Sequence, residues 1–142
     1  MDIHIKTPEE LNGYIRAAWS RETSADGKNW SPKNAAWGQD VATVLLVEHC
    51  FHGLIMRFEI QSALDPKIAA LRTHYYNCIG GEDVDVTKTQ FGDAATYETL
   101  KARGQKSAWL RERLLENAGA QKRYALLHAA VLRLHRKEVT LN

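Results

Sequence analysis

Three residues in this chain have the types and the order for proton chemistry. Asp40 follows Trp37-Gly38-Gln39 and opens the apolar run Val41-Ala42-Thr43-Val44-Leu45-Leu46-Val47. His74 lies in Thr73-His74-Tyr75-Tyr76-Asn77, and Asp85 lies in Val84-Asp85-Val86-Thr87. Brought together, two carboxylates and an imidazole form an acid–base set. One carboxylate fixes the ring tautomer, and the other works as a base or steadies a positive charge. Each residue also has a plainer reading. Asp40 at a helix start is an N-cap for the amides of Ala42 or Thr43. A strand histidine among aromatics is ordinarily a core residue. Gln39 could donate its amide to a developing oxyanion, or it could simply tie down a loop.

The elements that must position these residues can be read from spacing. Thr7-Pro8-Glu9-Glu10 is a helix start with a cap, a proline at the first position and a capping-box glutamate. Leu11, Tyr14, Ile15, Ala18 and Trp19 then recur at helical spacing. Residues 24–34 read as a loop flanked by Trp30 and Trp37, both expected to be packed rather than to stack on a ligand. Residues 40–51 form a helix that is apolar on most sides, hence buried, and Gly53 ends it. Residues 54–61 alternate like a half-buried strand, and 62–70 read as a connection with one helical turn. Residues 71–79 and 82–87 make a hairpin around Gly80-Gly81. That turn sets residues near 74–76 opposite residues near 85–87, so His74 and Asp85 become cross-strand neighbours. A short helical turn follows at 87–92, then helices at 107–117 and 120–136, separated near Gly119. The order predicts an α+β fold, one domain over residues 1–142, with helices packed on a small antiparallel sheet.

Size and composition bound the function. The chain has 142 residues, 44% hydrophobic and 25% charged, with a net charge of +2. A balance this close to neutral gives no case for nucleic acid or an anionic membrane as partner. Lys122, Arg123, Arg133, Arg136 and Lys137 cluster toward the C-terminus and are expected on a solvated helix face. No stretch approaches the ~18 apolar residues of a membrane span, and no secretory layout opens the chain. A cytoplasmic location is the expectation. Cys50 and Cys78 imply no disulfide framework. Cys78 stands four residues from His74 on one strand face, roughly 13 Å at the strand rise, too far for direct activation. His49 and His52 are three apart on a helix but lack further ligands for a metal. No cofactor is expected.

Trp19-Ser20, Thr23-Ser24, Trp30-Ser31-Pro32 with Asn34, Gly38-Gln39, His74-Tyr75-Tyr76-Asn77, Asp85 with Thr87, Gln90-Phe91, and Arg123-Tyr124 with Leu127 together resemble the YunG-like family. The similarity runs from about residue 17 to residue 130. It implies a compact papain-like or NlpC-like cysteine-hydrolase fold, with a cysteine after Gly-Gln, a strand histidine and a following aspartate. Carried over, those positions are Asp40, His74 and Asp85. The chain departs from the pattern at Asp40, where a carboxylate replaces the thiol. It departs again at His52-Gly53, where the family tends to carry two glycines, and in a longer segment over 62–71.

Without the thiol, a covalent acyl-thioenzyme does not fit. The expected function is acid–base chemistry by Asp40, His74 and Asp85, with Gln39 beside them, on a small polar molecule or peptide. Lyase, dehydratase, cyclase and water-activating hydrolase reactions all suit such a set. The alternative is a non-catalytic binding module in which Asp40 recognises a cation. A third reading takes Asp40 as an engineered replacement, although alanine or serine is the usual choice there.

Overall fold

The structure is a computed structural model, and it describes residues 3–60, 65–101, 105–107 and 110–141. The first helix, α1 (Pro8–Ala18), begins as its sequence dictates: the Thr7 side chain accepts the Glu10 amide at 3.2 Å, and Pro8 occupies the first turn. Leu11 and Ile15 are fully buried. After a short 3-10 turn at Arg21–Thr23, the chain winds through turns into α2 (Asp40–Phe51).

Helix α2 is the centre of the molecule. Val44, Leu45, Leu46 and Val47 point in different directions around it, and all are at most 2% exposed. That requires partners on every side. The sheet covers one side through β2, and α6 covers another. His52 ends the helix in a left-handed conformation (φ 61°), followed by Gly53.

The strands are β1 (Leu54–Glu59), β2 (Thr73–Ile79), β3 (Glu82–Val84) and β4 (Gln105–Ser107). They form one antiparallel sheet in the order β3-β2-β1-β4. Gly80 and Gly81 both adopt positive φ, 59° and 83°, as a two-residue hairpin turn demands. Period-two alternation then sorts the side chains. Ile55, Tyr75 and Asn77 face α2, where the Asn77 amide donates to the Val44 carbonyl at 3.1 Å. Phe58, His74 and Tyr76 face the other way, onto Phe91, Tyr97 and Leu100.

The remaining helices are α3 (Pro66–Leu71), α4 (Ala94–Lys101), α5 (Leu110–Leu115) and α6 (Ala118–Leu141). The long α6 lays Leu127 and Val131, both fully buried, against α1 and α2. Lys122, Arg133, Arg136 and Lys137 stand exposed on its outer side, and Arg123 is half-buried. Among the described residues no helix is long and apolar enough to cross a membrane.

The α+β class holds, and several boundaries move. The return strand was expected to reach residue 87, yet β3 stops at Val84, and β2 begins at Thr73 rather than at residue 71. The two C-terminal helices part at Asn117, not near Gly119. The Asn117 side chain caps α6 by accepting the Ala120 amide at 2.9 Å, which leaves Gly119 inside the helix. Helix α4 had no counterpart in the sequence reading, and Ser107, expected to open a helix, instead ends strand β4 (Gln105–Ser107), with α5 spanning Leu110–Leu115. The expected strand end at Gln61, the connection through Ser62, Ala63 and Leu64, and the helical positions Ala108 and Trp109 lie outside the described residues. Trp30 and Trp37 are structural: their indole N–H groups donate to the Ala35 carbonyl and to Asp26 Oδ2.

Candidate active site

Asp40 is the first residue of α2, but it is not the cap. Gln39 occupies the capping position and makes no side-chain capping bond. The Asp40 carboxylate instead leaves the helix sideways, and its Oδ2 accepts the Tyr75 amide of β2 at 3.1 Å. Because β3 has ended, that stretch of β2 has no strand partner on its outer edge, and Asp40 takes the missing strand's place. The same oxygen lies 3.6 Å from His74 Nδ1.

His74 is completely buried, with its ring against Phe58 and Phe91 at centroid distances of 5.1 and 4.8 Å. Its Nε2 meets Asp85 Oδ2 at 2.7 Å. Asp85 follows the last residue of β3, one step beyond the Asn77–Val84 pair, so its carboxylate returns diagonally to His74 on the same face. The hairpin therefore does deliver the expected pair, although the ladder itself has already stopped.

Two further residues complete the site. Gln90, in a 3-10 turn at Lys88–Phe91, accepts the Gly38 amide on Oε1 at 3.2 Å and sets its Nε2 3.3 Å from His74 Nδ1. A backbone amide only donates, so it fixes which end of Gln90 is oxygen. The Gln90 NH2 then faces Nδ1, which accepts, and Nε2–H donates to Asp85. Tyr97 of α4 donates its hydroxyl to Asp85 Oδ2 at 2.6 Å. Lys101, on the same helix, pairs with Asp83 at 2.6 Å and lies over the Tyr97 ring, and so pins α4 beside the hairpin. Spacing alone singled out neither Gln90 nor Tyr97. Gln90 entered only through its place beside Phe91 in the family resemblance.

Gln39 is also fully buried, and both ends of its amide are engaged. Nε2 donates to the Ser20 carbonyl at 2.8 Å, and Oε1 accepts the Thr23 hydroxyl at 2.7 Å. In this arrangement Gln39 ties the 20–23 turn to the start of α2. Gly38 lets the chain turn into α2 close against residues 24–26. Its φ of +71° suits glycine, and a Cβ there would collide with Ser24 Oγ. Cys50 and Cys78 are half-buried and in no disulfide, and Cys78 pairs in the sheet with Asp83, away from His74. His49 packs its ring 5.3 Å from that of His128. Among the described residues no three His, Cys, Asp or Glu side chains are grouped to hold a metal.

The electrostatics set Asp40 apart. Burial pushes its carboxyl above the usual carboxylate range, and His74 and the Tyr75 and Val41 amides offset part of that rise. Burial and the neighbouring Asp85 push the Tyr97 phenol up, so it stays a donor at every physiological pH. The side chain of Asp40 is 12% exposed, against 1% for His74 and 4% for Asp85. Solvent thus meets the set at Asp40. The arrangement is a buried carboxyl at the most solvent-near edge, an imidazole behind it whose Nδ1 lies between Asp40 and Gln90, and a carboxylate at the back that meets the His74 ring, the Tyr97 hydroxyl and the Thr87 hydroxyl.

A family model described as YunG protein matches residues 7–136. No curated protein matches the chain, and no solved structure does. The family match begins at the cap of α1, takes in every residue of the site just described and ends well inside α6, so the chain belongs to the YunG family.

Proposed function

We propose that this chain is an acid–base enzyme acting on a small polar molecule or peptide, built on a papain-like, cysteine-hydrolase-like scaffold in which Asp40 stands where the thiol would be. The observation that carries the reading is the placement of His74 Nδ1. It faces Asp40 at 3.6 Å while Nε2 is tied to Asp85 at 2.7 Å. His74 takes a proton from substrate at Nδ1, and Asp85 steadies the imidazolium that forms. Asp40, whose raised affinity for a proton suits an acid, gives one to the leaving group or holds a substrate cation. The papain-like assignment is supported by the order of elements: helix start, histidine strand, carboxylate after the hairpin. Neither cysteine is in a disulfide, which suits a reducing compartment such as the cytoplasm.

A second reading, a binding module without turnover, is favoured by the burial of His74, since solvent reaches its ring hardly at all. One experiment separates the two. The full chain is incubated with a mixture of small polar metabolites and dipeptides, and bound and converted species are read by mass spectrometry. Conversion that disappears in Asp40→Asn and in His74→Gln establishes the enzyme. Binding without conversion, weakened by Asp40→Asn alone, establishes the module.

A further inference from the structure

Beside Thr89, in the turn that carries Gln90, and Gly92, which ends that turn, the surface opens into a cleft of about 440 Å³. Its size falls within the ~300–1,000 Å³ typical of small-ligand pockets. Arg16 from the last turn of α1 and Lys33 from the loop before α2 both line it. Neither cation has a hydrogen bond or an acidic partner among the described residues, and none of the described residues lining the cleft is acidic.

The walls are fixed. The Trp19 indole, one of the lining groups, is anchored by its N–H donating to Thr43 Oγ1 at 3.1 Å. Asn34, another, donates its side-chain amide to the Gln90 carbonyl at 3.1 Å. Thr89 and Gly92 complete that side of the lining. Two unpaired cations, an apolar indole and preset polar groups form the recognition chemistry of an anion carried on an apolar body.

We propose that this cleft is a second ligand site, which binds a small molecule bearing a phosphate or carboxylate on an aromatic or apolar body. The anion lies between Arg16 and Lys33, and the body lies against Trp19. The site shares the 89–92 segment with the candidate active centre but does not depend on its chemistry. Binding there stands or falls apart from any turnover at Asp40.

The test is a titration of the isotope-labelled full chain at constant ionic strength, followed by amide and indole resonances. The probes are phenyl phosphate, benzoate, inorganic phosphate and the neutral benzyl alcohol. Saturating shifts at Trp19, residues 33–36 and residues 89–92 are expected with phenyl phosphate, benzoate or both. Which of the two binds more tightly distinguishes a phosphate ligand from a carboxylate ligand. Inorganic phosphate binds more weakly and benzyl alcohol does not saturate. Arg16→Glu and Lys33→Glu each weaken binding about tenfold or more, as loss of a charged hydrogen bond does. Both positions are exposed, so the variants keep the fold. The proposal is overturned if neither aromatic anion saturates below ~10 mM. It is equally overturned if benzyl alcohol binds as well, if the reversals change nothing, or if the shifts centre on the basic face of α6.

Discussion

Asp40 Oδ2 accepts the backbone amide of Tyr75 at 3.1 Å, at the edge of the sheet where β3 has already ended. A side chain from the buried helix thus completes a strand's hydrogen bonding, and the same atom faces the imidazole of His74. Structural and chemical roles meet on one oxygen, and substitutions at position 40 can pull them apart.

Asp40→Asn keeps a carbonyl oxygen for the Tyr75 amide, whereas Asp40→Ala leaves that amide without a partner. The alanine variant is expected to lose about 1–3 kcal/mol of stability, the cost of a buried unsatisfied donor. The asparagine variant should hold its fold. Turnover, once a substrate is in hand, should fall ~10²–10⁴-fold in both, as expected when a general acid or base is removed. Denaturant melts beside initial rates measure the two effects. Full activity in a stable Asp40→Asn protein would reduce Asp40 to a brace for the sheet edge.

The pH dependence of stability follows from the raised proton affinity of Asp40. Just above the ordinary carboxylate range, the folded chain keeps a proton that the unfolded chain has released. The contribution of Asp40 to stability is therefore complete in acid and lost as pH rises through the folded value. Asp40→Asn carries no charge to bury. The melting temperature of the variant, relative to the parent, should rise across that window. A difference that stays flat with pH, or falls, would contradict the assignment.

Tyr97→Phe removes the hydroxyl that Asp85 Oδ2 accepts at 2.6 Å. The expected loss is about 1 kcal/mol of stability, the usual worth of one hydrogen bond. More diagnostic is the downfield proton resonance of His74 Nε2–H, which should shift, because the oxygen it bonds has lost its other donor. A purely packing role for Tyr97 would leave that resonance where it was.

Asp40→Cys places a thiol at the first residue of a twelve-residue helix, beside His74. The helix N-terminus and the imidazole both favour thiolate. Iodoacetamide should label position 40 faster than Cys50 or Cys78, as peptide mapping would show. In the parent chain, replacing Cys50 and Cys78 together by alanine should leave turnover intact. Slow labelling at position 40 would count against the papain-like reading.

Gly38→Ala tests how the start of α2 is held. The added Cβ would strike Ser24 Oγ and come within 3.0 Å of the Asp26 amide, at a φ of +71°. The expected penalty is about 1–3 kcal/mol, read by thermal or denaturant melts.

The sequence revealed those parts of the site that local rules control. A glycine pair fixes a hairpin, and the hairpin fixes the approach of His74 to Asp85. The apolar run Val41–Val47 fixes α2 and puts Asp40 at its start. The strand end at Val84 was not legible, because it depends on where Asp40 meets Tyr75 across the fold. Tyr97 was hidden for a similar reason: α4 is short and largely polar, and its single contact with Asp85 depends on tertiary packing. Gln39 and Gln90 show the limit most plainly. Both precede or flank the site as buried glutamines, yet one braces a turn and the other addresses the imidazole. Only the positions of Ser20 and Gly38 tell them apart.

Asp85 Oδ2 receives two donors at once, the Tyr97 hydroxyl at 2.6 Å and the His74 ring at 2.7 Å. The other oxygen of Asp85 accepts the Thr87 hydroxyl at 3.4 Å, so the carboxylate is held from three directions behind the imidazole. In the proposed chemistry, proton traffic to and from the ring uses Nδ1, on the side that Asp40 and Gln90 share. In that chemistry the site is single-ended: the substrate arrives past Asp40, the most exposed of the set, and the proton it leaves behind departs the same way.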